Sequence, residues 1–172
     1  HGKTSAIALQ TTARQSCRSP IANFFPIWPH MKSVTLGSIY SLSPTSKDAM
    51  HLTSIKNSYS KRYASEFGEP RGCSERDVKI LEQSLGRRLP AAYREYLLWM
   101  GNDKHGRLKG SDWFLSDVRE NTAALPELLS ENEISIDQLD DPFCFFMHQG
   151  YMAAWFDLSQ TSDDPECFFF SE

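Results

Sequence analysis

The chain has 172 residues, 40% of them apolar and 12% aromatic, with a formal net charge of −4. That length suits one domain plus a tail, and the apolar content supports a real core. No uninterrupted apolar stretch is long enough for a membrane-spanning helix, so no membrane partner is expected.

The charge is unevenly placed. Residues 1–47 carry five of the 18 Lys/Arg (Lys3, Arg14, Arg18, Lys32 and Lys47) and no acid, which leaves 13 Lys/Arg and all 22 Asp/Glu to residues 48–172, a net of −9. A nucleic-acid binder needs a cationic face, so no nucleic-acid partner is expected. An acidic domain suits a partner with a basic surface, whose approach its field would accelerate.

Residues 1–49 read as a basic tail, acid-free through Lys47, disordered or not native, with Met31 and Met50 as alternative starts. The opening H-G-K-T-S echoes the end of a phosphate-binding loop but lacks the upstream glycine and strand. Phe24, Phe25, Ile27 and Trp28 form an apolar knot between Pro20, Pro26 and Pro29. Residues 50–172 read as the domain. A helix is expected over Ile55–Phe67, with Tyr59, Tyr63 and Phe67 on one face and Gly68 and Pro70 closing it.

Ser74 followed by Asp77 approximates a capping box. Val78, Leu81 and Leu85 then share a helical face, and Gly86 supplies a left-handed stop. Pro90 suits the first turn of a second helix, with Tyr93, Tyr96, Leu97 and Met100 inward and Gly101 at its end. Gly101–Gly110 reads as a polar, glycine-rich loop bearing Lys104, His105, Arg107 and Lys109. It is expected to be a mobile surface connection, with phosphate binding as the alternative. Trp113–Leu115 suggests a short strand or buried edge. Asp117–Asn132 has helical spacing, and Pro126 within it predicts a kink or a second helix start. Asn132–Asp141 is acidic and turn-like, anchored by Ile134 and Ile136. Three short strands close the chain: Phe143–Met147, Tyr151–Leu158 and Cys167–Phe170. The links between them are short enough for antiparallel neighbours. The chain stops just after a strand, which is expected to leave an edge in need of cover.

Two of these stretches carry a family resemblance. E-x-x-L-G-x-x-L-P-x-x-Y-x-x-Y-L, from Glu82 to Leu97, resembles the signature of the SUKH superfamily, the Smi/Knr group. F-F-M-H-Q-G-Y-M-A-A-W-F-D-L, from Phe145 to Leu158, and D-D-P-E-C-F-F-F-S-E, from Asp163 to Glu172, resemble its strand block. The matching positions are Leu85, Gly86, Leu89, Pro90, Tyr93, Leu97, Gly101, His148, Gly150, Tyr151, Phe156, Asp164 and Pro165. The resemblance implies an α+β fold, SUKH-like, with a mostly antiparallel sheet covered by helices on one side. It also implies a protein-binding domain, in bacteria often an immunity protein that neutralises a secreted toxin by direct contact. The wider group includes regulatory scaffold domains, which is the alternative.

A catalytic or metal site would have to start from His148 with Asp157, Asp163 and Asp164. The spacing matches no metal or nucleophile motif, so no enzyme, cofactor or metal is expected, and a small hydrolase or metal-dependent enzyme is the weaker reading. Asp163–Glu166 lacks the ligand set of a calcium loop and reads as a capped turn before the last strand. Cys17, Cys73, Cys144 and Cys167 form no CxxC pair. Reduced thiols and a cytoplasmic location are expected, with a Cys144–Cys167 disulfide or metal pair as the alternative. Asp112, Trp113, Asp163, Asp164 and Glu166 are the candidate partner contacts, expected to meet a cognate toxin with a basic surface.

Overall fold

A computed structural model describes residues 31–33, 51–135 and 140–171, the first three by their backbone. The H-G-K-T-S motif, the apolar knot, Cys17 and Ile136 lie outside the described residues.

The helical pair follows directly from local sequence. Helix α3, Glu75–Leu85, begins where the sequence places a cap. Ser74 is extended, its hydroxyl accepts the Asp77 N–H at 3.2 Å, and the Asp77 carboxylate accepts the Ser74 N–H at 3.0 Å, completing a capping box. The helix runs Glu75–Leu85 and stops at Gly86, whose φ of 68° is left-handed. After a short turn, α4 runs Ala91–Met100 with Pro90 as its N-cap, one position earlier than a first-turn proline would sit. The Glu82 side chain holds the turn, accepting the Leu89 N–H at 3.0 Å with one oxygen and the Arg94 guanidinium with the other. Arg94 also pairs with Glu75, so the two helices are tied at the surface as well as through Val78, Leu81, Tyr93 and Leu97 in the core.

Upstream of the pair, the expected single helix over 55–67 is two: α1 over Thr53–Arg62 and α2 over Ala64–Phe67, broken at Tyr63. Of the three aromatics assigned to one face, Tyr59 is buried, Tyr63 is half-buried against the core and Phe67 is exposed. The break turns the chain before a third helical repeat of the stripe can reach the core. Leu52, Ile55 and Tyr59 join the same core as α3 and α4, with the Tyr59 ring edge-on to Trp99.

The loop after α4 is not the loose surface connection expected. Asp103 and Leu108 are buried, Gly106 sits where a Cβ would collide with the Asp103 carboxylate, and Arg107 stacks over the Tyr63 ring. Trp113 and Phe114 are buried, as the apolar triplet predicts. Helix α5 spans Val118–Glu131 as one uninterrupted element with Pro126 inside it, so no second helix starts there.

Strand β2 covers Pro142–His148, β3 Met152–Asp157 and β4 Cys167–Ser171, consecutive and antiparallel. Gln149 (φ 48°) and Gly150 (φ 74°) make the two-residue β2–β3 turn, the left-handed pair that matches the twist of a tight hairpin. A fourth strand comes from the segment read as a tail: β1, Met31–Ser33, lies parallel to β4, giving the order β1-β4-β3-β2. Three residues of mixed character give no period from which a strand can be read.

The α+β architecture and mostly antiparallel sheet agree with expectation, and α5 adds cover to the second face. Phe143, Phe145, Ala154, Phe156 and Cys167 point toward α1, α3 and α4, whereas Cys144, Met147, Ala153, Trp155 and Phe170 pack with Leu125, Leu128 and Leu129 of α5. The strands are therefore apolar on both sides, which is why they read as continuous runs rather than alternating ones. Cys144 and Cys167 consequently face opposite sides of the sheet as free thiols, which removes the proposed pair. Burial pushes the Cys144 thiol up to about 12, so it is an inert core group.

A candidate interaction cleft

The α3–α4 turn and the β3–β4 loop face each other across a cleft of about 350 Å³, lined by Arg87, Arg88, Leu89, Pro90 and by Leu158 through Asp163. Leu89, Pro90 and Leu158 are buried and form its apolar floor; the arginines and the Ser159–Asp163 segment are exposed and form its rim. Arg87 is engaged by Asp141 at 2.6 Å. Arg88 is exposed and, among the described residues, makes no ion pair.

Both ends of the β3–β4 loop are pinned. At its start, the Asp157 carboxylate accepts the N–H groups of Asp140, Asp141 and Ser159 at 3.3, 3.2 and 2.8 Å. Burial is the strongest single influence on this carboxyl and would raise its pKa. The hydrogen bonds from Ser159, Asp140 and Asp141 together outweigh burial and hold it below the usual range. At the far end, the Asp163 carbonyl accepts the Ala92 N–H at 2.9 Å, satisfying one of the orphan donors at the start of α4. The Ser162 hydroxyl accepts the Asp164 N–H at 3.2 Å, so the capped turn expected at Asp163–Glu166 is present and Pro165 is buried just before β4.

This arrangement makes Asp157 a measurable anchor. Asn can accept at one oxygen but presents N–H to donors at the other, so Asp157→Asn is expected to cost about 2 kcal/mol at pH 7. A carboxyl whose folded pKa is depressed contributes fully above its unfolded value, and the contribution fades as pH falls through the folded one. The gap between wild type and variant should therefore shrink below about pH 4 in denaturant titrations. A gap that stays constant down to pH 2 would show that ionised Asp157 is not what holds the loop.

The candidate contacts are not brought together. Asp163 reaches the cleft rim, with Asp164 and Glu166 half-buried beyond it. Trp113 is 2% exposed and belongs to the core, so it offers no surface to a partner. Asp112 is exposed but bridges to Met147, near the β2–β3 turn. In the hairpin register His148 pairs with Met152 and Asp157 with Pro142, which separates His148 from Asp157 by roughly 17 Å along the strands. The His148–Asp157–Asp163 constellation of a hydrolase is thus not assembled. His148 instead meets the Ser111 hydroxyl through Nδ1 at 2.8 Å and the Tyr151 ring edge-on. Beside it, burial pushes the Asp112 carboxyl up, Asp117 and Glu120 add to that, and His148 opposes it. Among the described residues no group of His, Cys, Asp and Glu is arranged to hold a metal ion. No helix among them is long and apolar enough to cross a membrane.

Arg87, Arg88 and Ser159–Ser162 were not legible as site residues. They are ordinary polar loop residues some seventy positions apart, and only the sheet register places them opposite one another. Leu89 and Pro90 did stand out, as signature positions.

A family model described as SMI1 / KNR4 family (SUKH-1) matches residues 72–172. It begins at Gly72, just before the capping box, and takes in the helical pair, α5, β2, β3 and β4. No curated protein and no solved structure matches the chain.

Proposed function

Because this chain belongs to the SMI1 / KNR4 family (SUKH-1), we propose that it is a protein-binding domain that neutralises a secreted toxin by direct contact, as a cytoplasmic immunity protein. The observation that carries the reading is the cleft between the signature turn and the β3–β4 loop. It has an apolar floor, a polar rim and walls fixed by Glu82, Asp157 and Asp163, which is the build of a pre-organised binding surface rather than of a reaction centre. Its net charge of −9 over residues 48–172 draws in a basic partner. Arg88 then fixes orientation by pairing with a carboxylate on that partner, and Leu89, Pro90 and Leu158 bury an apolar anchor. The regulatory-scaffold alternative shares this binding chemistry and differs in the partner.

The test is co-expression of the full chain with the product of the gene next to its own. A complex is expected, together with protection of the host if that product is toxic. Arg88→Glu should weaken the complex at least tenfold, on the order of one lost charge-assisted contact turned repulsive, with an unchanged melting temperature. His148→Ala should leave affinity intact, and rising salt should slow association. Undiminished affinity in both Arg88→Glu and a bulky Thr161→Arg variant would remove the cleft from the interface.

A further inference from the structure

The two edges of the sheet are treated differently. The outer edge of β2 is closed by the domain itself. Asp112 and Met147 exchange N–H···O bonds at 2.9 and 3.2 Å, and the Thr122 hydroxyl of α5 accepts the Cys144 N–H at 3.0 Å. The outer edge of β4 is covered by Met31–Ser33, a segment outside the family-matched residues 72–172. Its register sets Met31 beside Cys167, Lys32 beside Phe168 and Ser33 beside Phe169, parallel to β4 in a sheet that is otherwise antiparallel. The acceptor edge therefore belongs to the family domain and its occupant does not. Three paired residues make a short strand that contributes little on its own and is readily exchanged. Phe168 and Phe169, both half-buried, flank this edge on the two faces of the sheet. Alternate side chains of any strand added here lie beside one or the other.

We propose that the outer edge of β4 is a strand-acceptor site: an extended, proline-free segment of the protein partner adds to β4 in the place that Met31–Ser33 holds, and residues 31–33 act as a built-in competitor for it. Backbone hydrogen bonds supply the attachment, and apolar or β-branched residues beside Phe168 and Phe169 supply selectivity. The proposal rests on the protein-binding reading above. It places a second contact on the sheet edge, away from the Arg88 cleft.

The experiment uses the full chain and needs no toxin. Successive N–H groups of a strand point to opposite edges, so Lys32→Pro combined with Ser33→Pro removes whichever donor faces β4. Amide hydrogen exchange at those alternate positions of Cys167–Phe170 whose N–H faces β1 is expected to speed up about tenfold in this double variant, while the amides facing β3 and those of α3 and α4 exchange as in the wild type. A synthetic peptide of residues 30–36 (H-M-K-S-V-T-L) should restore slow exchange there. The same peptide with both prolines should not. In the wild type the peptide should act at least tenfold more weakly, because the tethered strand competes at high local concentration. Equal β4 exchange in wild type and double variant would overturn the proposal, as would a peptide that restores nothing. Protection in the double variant that grows with protein concentration and without peptide would assign the edge to a second copy of the chain and likewise overturn it. Because no toxin is involved, a failure here leaves the Arg88 test of protein binding untouched.

Discussion

Gly72→Ala is expected to destabilise the fold by on the order of 4 kcal/mol, an exceptional loss for one added methyl group. A Cβ at Gly72 would lie 1.7 Å from the Leu98 carbonyl oxygen, 2.4 Å from its carbon and 3.1 Å from the Trp99 nitrogen, all backbone atoms of α4. No side chain can rotate out of the way, so either the segment lifts or the helix shifts. Lifting it breaks the bonds on either side: Cys73 N–H to the Leu97 carbonyl at 2.8 Å and Asn102 N–H to the Arg71 carbonyl at 2.9 Å. The Leu97 carbonyl, which also accepts the Gly101 N–H at 3.0 Å, thereby takes a second donor, and the Asn102 N–H just past α4 is satisfied by the Arg71 carbonyl. Gly86→Ala is the matched control. Its Cβ would meet nothing within 4 Å, but φ is 68°, so the cost is backbone strain of about 1 kcal/mol. Urea titrations should rank Gly72→Ala well above Gly86→Ala. The reverse order would mean that Arg71–Cys73 is not packed against α4 as described.

Tyr93→Ala is expected to cost about 4 kcal/mol, whereas Tyr93→Phe should be neutral or slightly stabilising. Tyr93 is fully buried at the centre of the larger core, its ring centroid 5.3 Å from that of Phe143, 5.5 Å from that of Phe156 and 5.9 Å from that of Phe145. Truncation to Ala opens a cavity that rigid strands cannot collapse to fill. The hydroxyl is another matter, because it is buried with no hydrogen-bond partner among the described residues, and burial pushes its pKa well above the ordinary value. Removing it takes away an uncompensated desolvation cost. The neighbouring Tyr96 makes the contrast: its hydroxyl donates to the Trp113 carbonyl at 3.2 Å, so Tyr96→Phe should lose about 1 kcal/mol. A Tyr93→Phe variant less stable than Tyr96→Phe would show that the Tyr93 hydroxyl does have a partner in solution.

Both positions bear on how the signature works. Glu82, Gly86, Leu89, Pro90, Tyr93 and Leu97 together hold one turn and one buried helix face against the sheet. Their spacing therefore marks the family without naming a chemical step. The cleft borrows the outer side of that turn. Its floor residues, Leu89 and Pro90, are conspicuous in the sequence for their role in the fold, and its rim residue Arg88 is not.

Local rules were enough for several elements. Ser74, Asp77 and Gly86 set both ends of α3 because caps and left-handed stops depend on neighbours a few residues away. Gln149-Gly150 set the hairpin for the same reason, and the apolar runs at 143–147 and 167–170 could be little else than buried strands. The sequence by itself thus determined the helical pair, the hairpin, the family and the acidic character of the domain. Only the tertiary structure decided what these elements bring together. It separated His148 from Asp157 by setting them at opposite ends of a hairpin. It turned Trp113 inward and put Cys144 and Cys167 on opposite faces of the sheet. It also set Arg88 across from Thr161 and laid Met31–Ser33 against β4. Each of these depends on strand register and on which face of the sheet a helix covers, and both are fixed by packing between distant segments rather than by local sequence.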